Sequence, residues 1–123
     1  VRSRDNGVPS APSSEILGGE IHVGRLVYDG IVRLRIDDRD LAHLRIAISE
    51  KLRRRESFTL TWPNALDEGG GRVAVWVHAS TSLVFTFDQR GPYEINPAWV
   101  AALSAAAHSP GGLRPIAEPQ PEK

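Results

Sequence analysis

The chain contains no cysteine and no methionine. Without cysteine there is no disulfide, no thiolate nucleophile and no Cys-ligated metal. That composition suits a cytoplasmic protein. Lysine is almost missing, with only Lys51 and the last residue, Lys123. No apolar run approaches the roughly 20 residues of a membrane-spanning helix, so no membrane partner is expected. Val1 to Ser14 carry no hydrophobic stretch of the kind a secretory signal needs. An excess of one charge is also lacking, because 15 basic side chains face 15 acidic ones. No bulk field therefore draws the molecule to nucleic acid or to an anionic membrane. Any such attraction must come from a local patch. At 123 residues there is room for one domain and one core.

The missing methionine extends to position 1. A first-residue Val is what a literal reading of a GTG start codon gives, and Val23-Gly24-Arg25 offers a second start of the same kind. Ser, Pro, Gly and charge dominate residues 1–22, which offer little to a core. They are expected to be upstream sequence or a disordered leader, ahead of a domain over 23–116. The Pro- and Glu-rich residues 117–123 read as a disordered tail.

What is present reads as strands and helices. Leu26, Tyr28, Val32, Leu34 and Ile36 share one face only if Tyr28 pairs with Val32 across Asp29-Gly30. A two-residue turn would instead pair Tyr28 with Ile31 and reverse every side chain. The hydrophobic pattern therefore predicts a slightly longer loop, with Arg33 and Arg35 facing outward. Asp37, Asp38 and Asp40 open a helix, one capping it and the others suiting its positive end. Leu41, Leu44, Ile48 and Leu52 form its buried stripe. Alternation predicts strands through Phe58, Leu60 and Trp62, through Val73, Val75 and Val77, and through Leu83, Phe85 and Phe87. Asn64 to Gly71 reads as a flexible loop. Asn96-Pro97 caps a second helix over Ala98 to Ala107, with Trp99, Leu103 and Ala106 inward. Leu113 to Ile116 is a candidate edge segment. The order is β-β-α-β-β-β-α. It implies an α+β domain with a mainly antiparallel five-stranded sheet and two helices on one face.

No catalytic constellation emerges, and no enzyme activity, metal or cofactor is expected. His22, His43, His78 and His108 lack metal-ligand spacing. His43 lies about 200° around the helix from Leu41 and reads as a solvated or rim residue. The Asp37–Asp40 carboxylates are accounted for by helix capping. Gly69 to Arg72 lacks the Gly-Lys-Ser/Thr of a phosphate loop.

Two binding classes remain. Trp76 and Val84 lie opposite the apolar faces of their strands. On an uncovered sheet they would form an apolar patch wanting a homodimer or another protein partner. Alternatively, a basic surface of Arg33, Arg35, Lys51, Arg53, Arg54 and Arg55 would contact DNA or RNA phosphates, with Trp76 stacking on a base. A solvated helix end explains the same Lys51–Arg55 run.

The strings "GRLVYD" (24–29), "IDDRDLAHLRIAISEKLRRRESFTLTW" (36–62), "VWVHAS" (75–80), "INPAWVAAL" (95–103) and "SPGGLRPIAEP" (109–119) together cover most of the chain. In these strings the chain resembles a small family of uncharacterised actinobacterial proteins, whose members often carry the label ATP-dependent DNA ligase. The resemblance implies some association with DNA. It does not bring a ligase nucleophile, because the Lys-x-Asp-Gly motif of such ligases is missing. Lys51 is followed by Leu52-Arg53-Arg54, and Lys123 ends the chain.

Overall fold

The computed structural model describes residues 22–64 and 69–120. The expected leader up to residue 21, the middle of the 64–71 loop and the last three residues lie outside the described residues. Seven elements follow in order: β1 (Val23–Tyr28), β2 (Val32–Asp37), α1 (Asp38–Arg53), β3 (Phe58–Pro63), β4 (Arg72–Val77), β5 (Leu83–Thr86) and α2 (Pro97–His108).

β1 and β2 form an antiparallel hairpin in which Tyr28 pairs with Val32. The hydrophobic pattern thus sets the register, and the turn lengthens to suit it. Asp29 and Gly30 take left-handed angles, φ 50° and 75°, and the Ile31 amide donates to the Tyr28 carbonyl at 3.0 Å. Leu26, Leu34 and Ile36 are buried on the inner face.

The chain is α+β, but the single five-stranded sheet expected from the element order is not formed. One sheet has three strands in the order β2-β1-β5, and the other has two, β3-β4. β5 is joined to β1 by side-chain and backbone contacts as well as by its ladder. The Asp29 amide donates to the Ser82 carbonyl at 2.8 Å, and the Ser82 amide donates to Asp29 Oδ1 at 3.0 Å. These bonds continue the β1–β5 pairing beyond the Tyr28–Leu83 pair, and the other edge of β5 takes no strand among the described residues. The other edge of β3 is taken by the C-terminal segment, where Leu113 bridges to Leu60 in parallel. The Tyr28 hydroxyl, donating to the Trp76 carbonyl at 2.7 Å, ties the two sheets together.

α1 begins at Asp37, whose side chain accepts from the Arg39 amide at 3.2 Å. Leu41, Leu44, Ala47 and Ile48 are buried from it. Each such side chain stabilises the fold by roughly 1.5–3 kcal/mol, less for alanine. α2 begins at Asn96, whose side chain accepts from the Ala98 amide at 3.0 Å, with Pro97 at the first position. It packs on α1 and β3, and Trp99, Leu103 and Ala106 enter the shared core.

Candidate interaction surface

Most polar groups singled out in the sequence are used by the fold itself. Asp38 is 1% exposed. Its carboxylate accepts from the Asp88 amide at 2.9 Å, the Gln89 amide at 2.8 Å and the Tyr93 hydroxyl. Burial alone would raise its pKa, but the bonds from Tyr93, Asp88 and Gln89 outweigh it, and the carboxyl sits below its ordinary value. Burial, together with the bond to Asp38, pushes the Tyr93 hydroxyl up to about 12. Gly24 lets the strand pass this hub: a Cβ there would stand 2.7 Å from Asp38 Oδ1 and clash with the Thr86 carbonyl.

His43 is fully buried, which corrects its expected place at the rim. The Asn96 amide donates to Nε2 at 2.8 Å, so Nε2 is the bare nitrogen. The Nδ1 proton goes to the Arg39 carbonyl at 2.8 Å. The ring also packs on Trp99, 4.4 Å between centroids. It thereby joins α1 to the start of α2.

Arg39 grips Glu118 through Nε at 3.2 Å and Nη2 at 2.7 Å. Asn96 Nδ2 donates to the same carboxylate at 2.9 Å. Glu118 thus lies fixed inside the stretch expected to be a loose tail. The hydrogen bond from Arg39, followed by that from Asn96, holds its carboxyl down at about 2. Asp40 behaves oppositely. Burial first, then the neighbouring charges of Asp37 and Glu118, raise its carboxyl to about 6. A carboxyl raised on folding contributes stability that is full below its ordinary value and lost as pH rises through the folded one. Asp40→Asn should therefore gain on the wild type in thermal midpoint between about pH 4 and about pH 7. A constant gap between the two across that range would contradict this assignment.

Lys51 is also withdrawn. Its side chain is 4% exposed, and its ammonium lies 3.1 Å from Glu56 Oε1 and 3.2 Å from His108 Nδ1. It is not placed to grip phosphate. Arg53, Arg54 and Arg55 are exposed at the end of α1, and Arg54 lies 3.8 Å from the Glu56 carboxylate. Arg33 and Arg35 alternate with the inward Leu34 and Ile36, so they project from the sheet face opposite α1. The two groups of arginines therefore stand on opposite sides of the three-stranded sheet. They do not form one continuous basic surface.

A different set does share a surface. On the outward face of that sheet, Arg33, Val27 and Val84 lie in one cross-strand row. Arg35, Arg25 and Thr86 lie in the next. Val84 is 52% exposed and Val23, at the start of β1, 46%. The structure thus brings together Arg33, Arg35 and Val84 from among the expected site residues and adds Arg25 and Val27. Trp76, 56% exposed, belongs to β4 in the other sheet, so the expected Trp76–Val84 patch does not lie on one strand face. At the β2 side of this surface an open cleft of about 620 Å³ runs between Arg25, Arg35 and Asp37 and the end of β3, at Trp62 to Asn64.

Among the described residues no cluster of His, Cys, Asp or Glu is placed to hold a metal ion, and no helix is long and apolar enough to cross a membrane. No curated protein and no solved structure matches the chain. A family model described as "Domain of unknown function (DUF7882)" matches residues 23–118. That span begins on the first residue of β1 and ends on the glutamate held by Arg39 and Asn96. It takes in all the elements of the described residues, and the chain belongs to the DUF7882 family.

Proposed function

We propose that the chain is a non-catalytic binding module that docks another protein on the outward face of the three-stranded sheet. The observation that carries this reading is Val27, on the central strand, in one row with the half-exposed Val84 of the edge strand and flanked by Arg25, Arg33 and Arg35. An apolar centre with a charged rim is the usual anatomy of a docking surface. A homodimer through this face is disfavoured. A two-fold axis would set the same patch against itself, and the rim is mostly of one sign. The partner is instead an acidic protein surface with an apolar centre. Capture from nuclease-treated extract should recover a protein on the wild type that Val84→Asp loses. Sedimentation velocity should show a monomer at every concentration. A dimer abolished by Val84→Asp would return self-association to first place.

A second reading, association with DNA or RNA, is favoured by one observation. Arg25 lies directly opposite Arg35 across the β1–β2 ladder. Two cations side by side on an exposed face are spaced to take a phosphate between them. Labelled single- and double-stranded DNA, titrated at several salt concentrations, tests it. Affinity that falls steeply with salt and collapses in Arg25→Glu/Arg33→Glu supports nucleic acid on this face. Collapse in Arg53→Glu/Arg54→Glu/Arg55→Glu alone moves the contact to the end of α1.

A further inference from the structure

α1 packs over β1 and β2 and leaves β5 to one side. In the space beside it two hollows adjoin. One, of about 390 Å³, is lined by Arg45, Ile46, Arg53 and Phe85. The other, of about 330 Å³, carries Arg45 and Ile46 on to Phe87, Arg90 and Ile95. Sharing two residues, they form one groove along the helix. Its floor is apolar and aromatic. Arg45 and Arg53 rise from the same face of α1, two turns apart, and Arg90 stands on the opposite wall. The Arg45 guanidinium rests 6.0 Å from the centre of the Phe87 ring. Among the described residues none of these three arginines is in an ion pair. Among the described residues Glu50 is the only acid lining the groove.

One wall of the groove is an open strand edge. β5 pairs with β1 on one side and, among the described residues, with no strand on the other. An open edge presents a row of amides and carbonyls that seek partners. Polar backbone on one side, an apolar floor below and unpaired cations above together select a particular ligand chemistry.

We infer that this groove receives an extended acidic segment of a partner protein, which adds to β5 as a further strand. Its backbone pairs with the open edge. The side chains that the added strand turns toward α1 meet the groove: apolar ones rest on Phe85, Phe87 and Ile46, and carboxylates among them meet Arg45, Arg53 and Arg90, while the intervening side chains point away from it. A nucleic-acid strand would use the arginines and the rings but has no alternating amide and carbonyl to satisfy the edge. The site is separate from the outward face, because Phe85 and Val84 leave β5 on opposite sides.

The test is an anisotropy titration of the full chain with a fluorescein-labelled Glu–Val peptide about eight residues long, in which Val and Glu take turns at every second position and Ser fills the positions between. Saturable binding is expected, with no binding of the matching Lys–Val peptide. Arg45→Glu/Arg90→Glu, and the milder Arg45→Gln/Arg90→Gln, should weaken it about tenfold or more. Methylating alternate peptide amides should weaken it as much, and that arm leaves the protein untouched. Arg72→Glu, on β4 in the other sheet, should leave it unchanged. Undiminished binding of the methylated peptide would overturn strand addition. Binding of oligothymidine in place of the Glu–Val peptide would overturn the choice of occupant. So would a dimer, seen by sedimentation, that Arg45→Glu/Arg90→Glu dissolves.

Discussion

Asp38→Ala is expected to cost about 3 kcal/mol of stability, read as a lower denaturation midpoint at neutral pH. The substitution removes one buried carboxylate and strands three donors at once: the amides of Asp88 and Gln89 and the hydroxyl of Tyr93. Hydrogen bonds to a charged acceptor are worth roughly 1.5–3 kcal/mol each and are not additive within one network. Asp38→Asn keeps one acceptor oxygen and should cost about half as much. The pH dependence has a fixed sign. The Asp38 carboxyl is lowered on folding, and so is that of Glu118, to about 2. Their contribution is present above the ordinary carboxylate range and is lost as pH falls through the folded values. Tyr93, raised to about 12, contributes below its ordinary value and loses that contribution as pH rises through the folded one. Asp38→Ala should therefore flatten the acid limb of the stability curve as well as lower its plateau. A variant within about 1 kcal/mol of the wild type would remove Asp38 from the centre of this network.

His43→Ala should have a comparable effect, about 3 kcal/mol. It opens a cavity beneath Trp99, strands the Asn96 amide and takes one of its two donors from the Arg39 carbonyl. His43→Leu separates the two causes. It restores most of the volume but no hydrogen bond, so about half the loss should persist. Urea denaturation with an unchanged slope and a shifted midpoint is the expected record. Full recovery in His43→Leu would show that the ring fills space and does not hold α2.

Both residues mark where sequence reading stops. Asp37 and Asp38 are the same residue type side by side. Local chemistry identifies a helix cap in that pair but not which carboxylate turns inward. That choice depends on a loop fifty residues away, which delivers the amides of Asp88 and Gln89. His43 lies off the Leu41–Leu44–Ile48 stripe, so a single-helix view sends it to water. α2 packs on that flank and buries it. Lys51 was hidden in the same way, because a cation in a last turn usually faces solvent and Glu56 lies beyond the helix end.

Other features depend on short range and were readable. The Tyr28–Val32 register follows from which side chains are apolar. The start of α2 follows from Asn96-Pro97, and the inward sets of β3 and α1 follow from their periods. The division into two sheets does not, because nothing local to a strand says which edge its neighbour takes. In the sequence Arg25 is one cation inside an apolar strand. Its signal was alternation with Leu26, which predicts an outward side chain, and the register then sets it against Arg35. Of the interaction surface, Arg33, Arg35 and Val84 could be placed facing outward, but their meeting on one face required the β1–β5 pairing.

The central claim is that the outward face of the three-stranded sheet binds a protein. Its most direct test is side-by-side capture from nuclease-treated extract of the source cells, on immobilised wild type and on Val84→Asp/Arg33→Glu. The proposal predicts at least one protein enriched on the wild type and reduced about tenfold or more on the variant. The same proteins in the same amounts on both would contradict it.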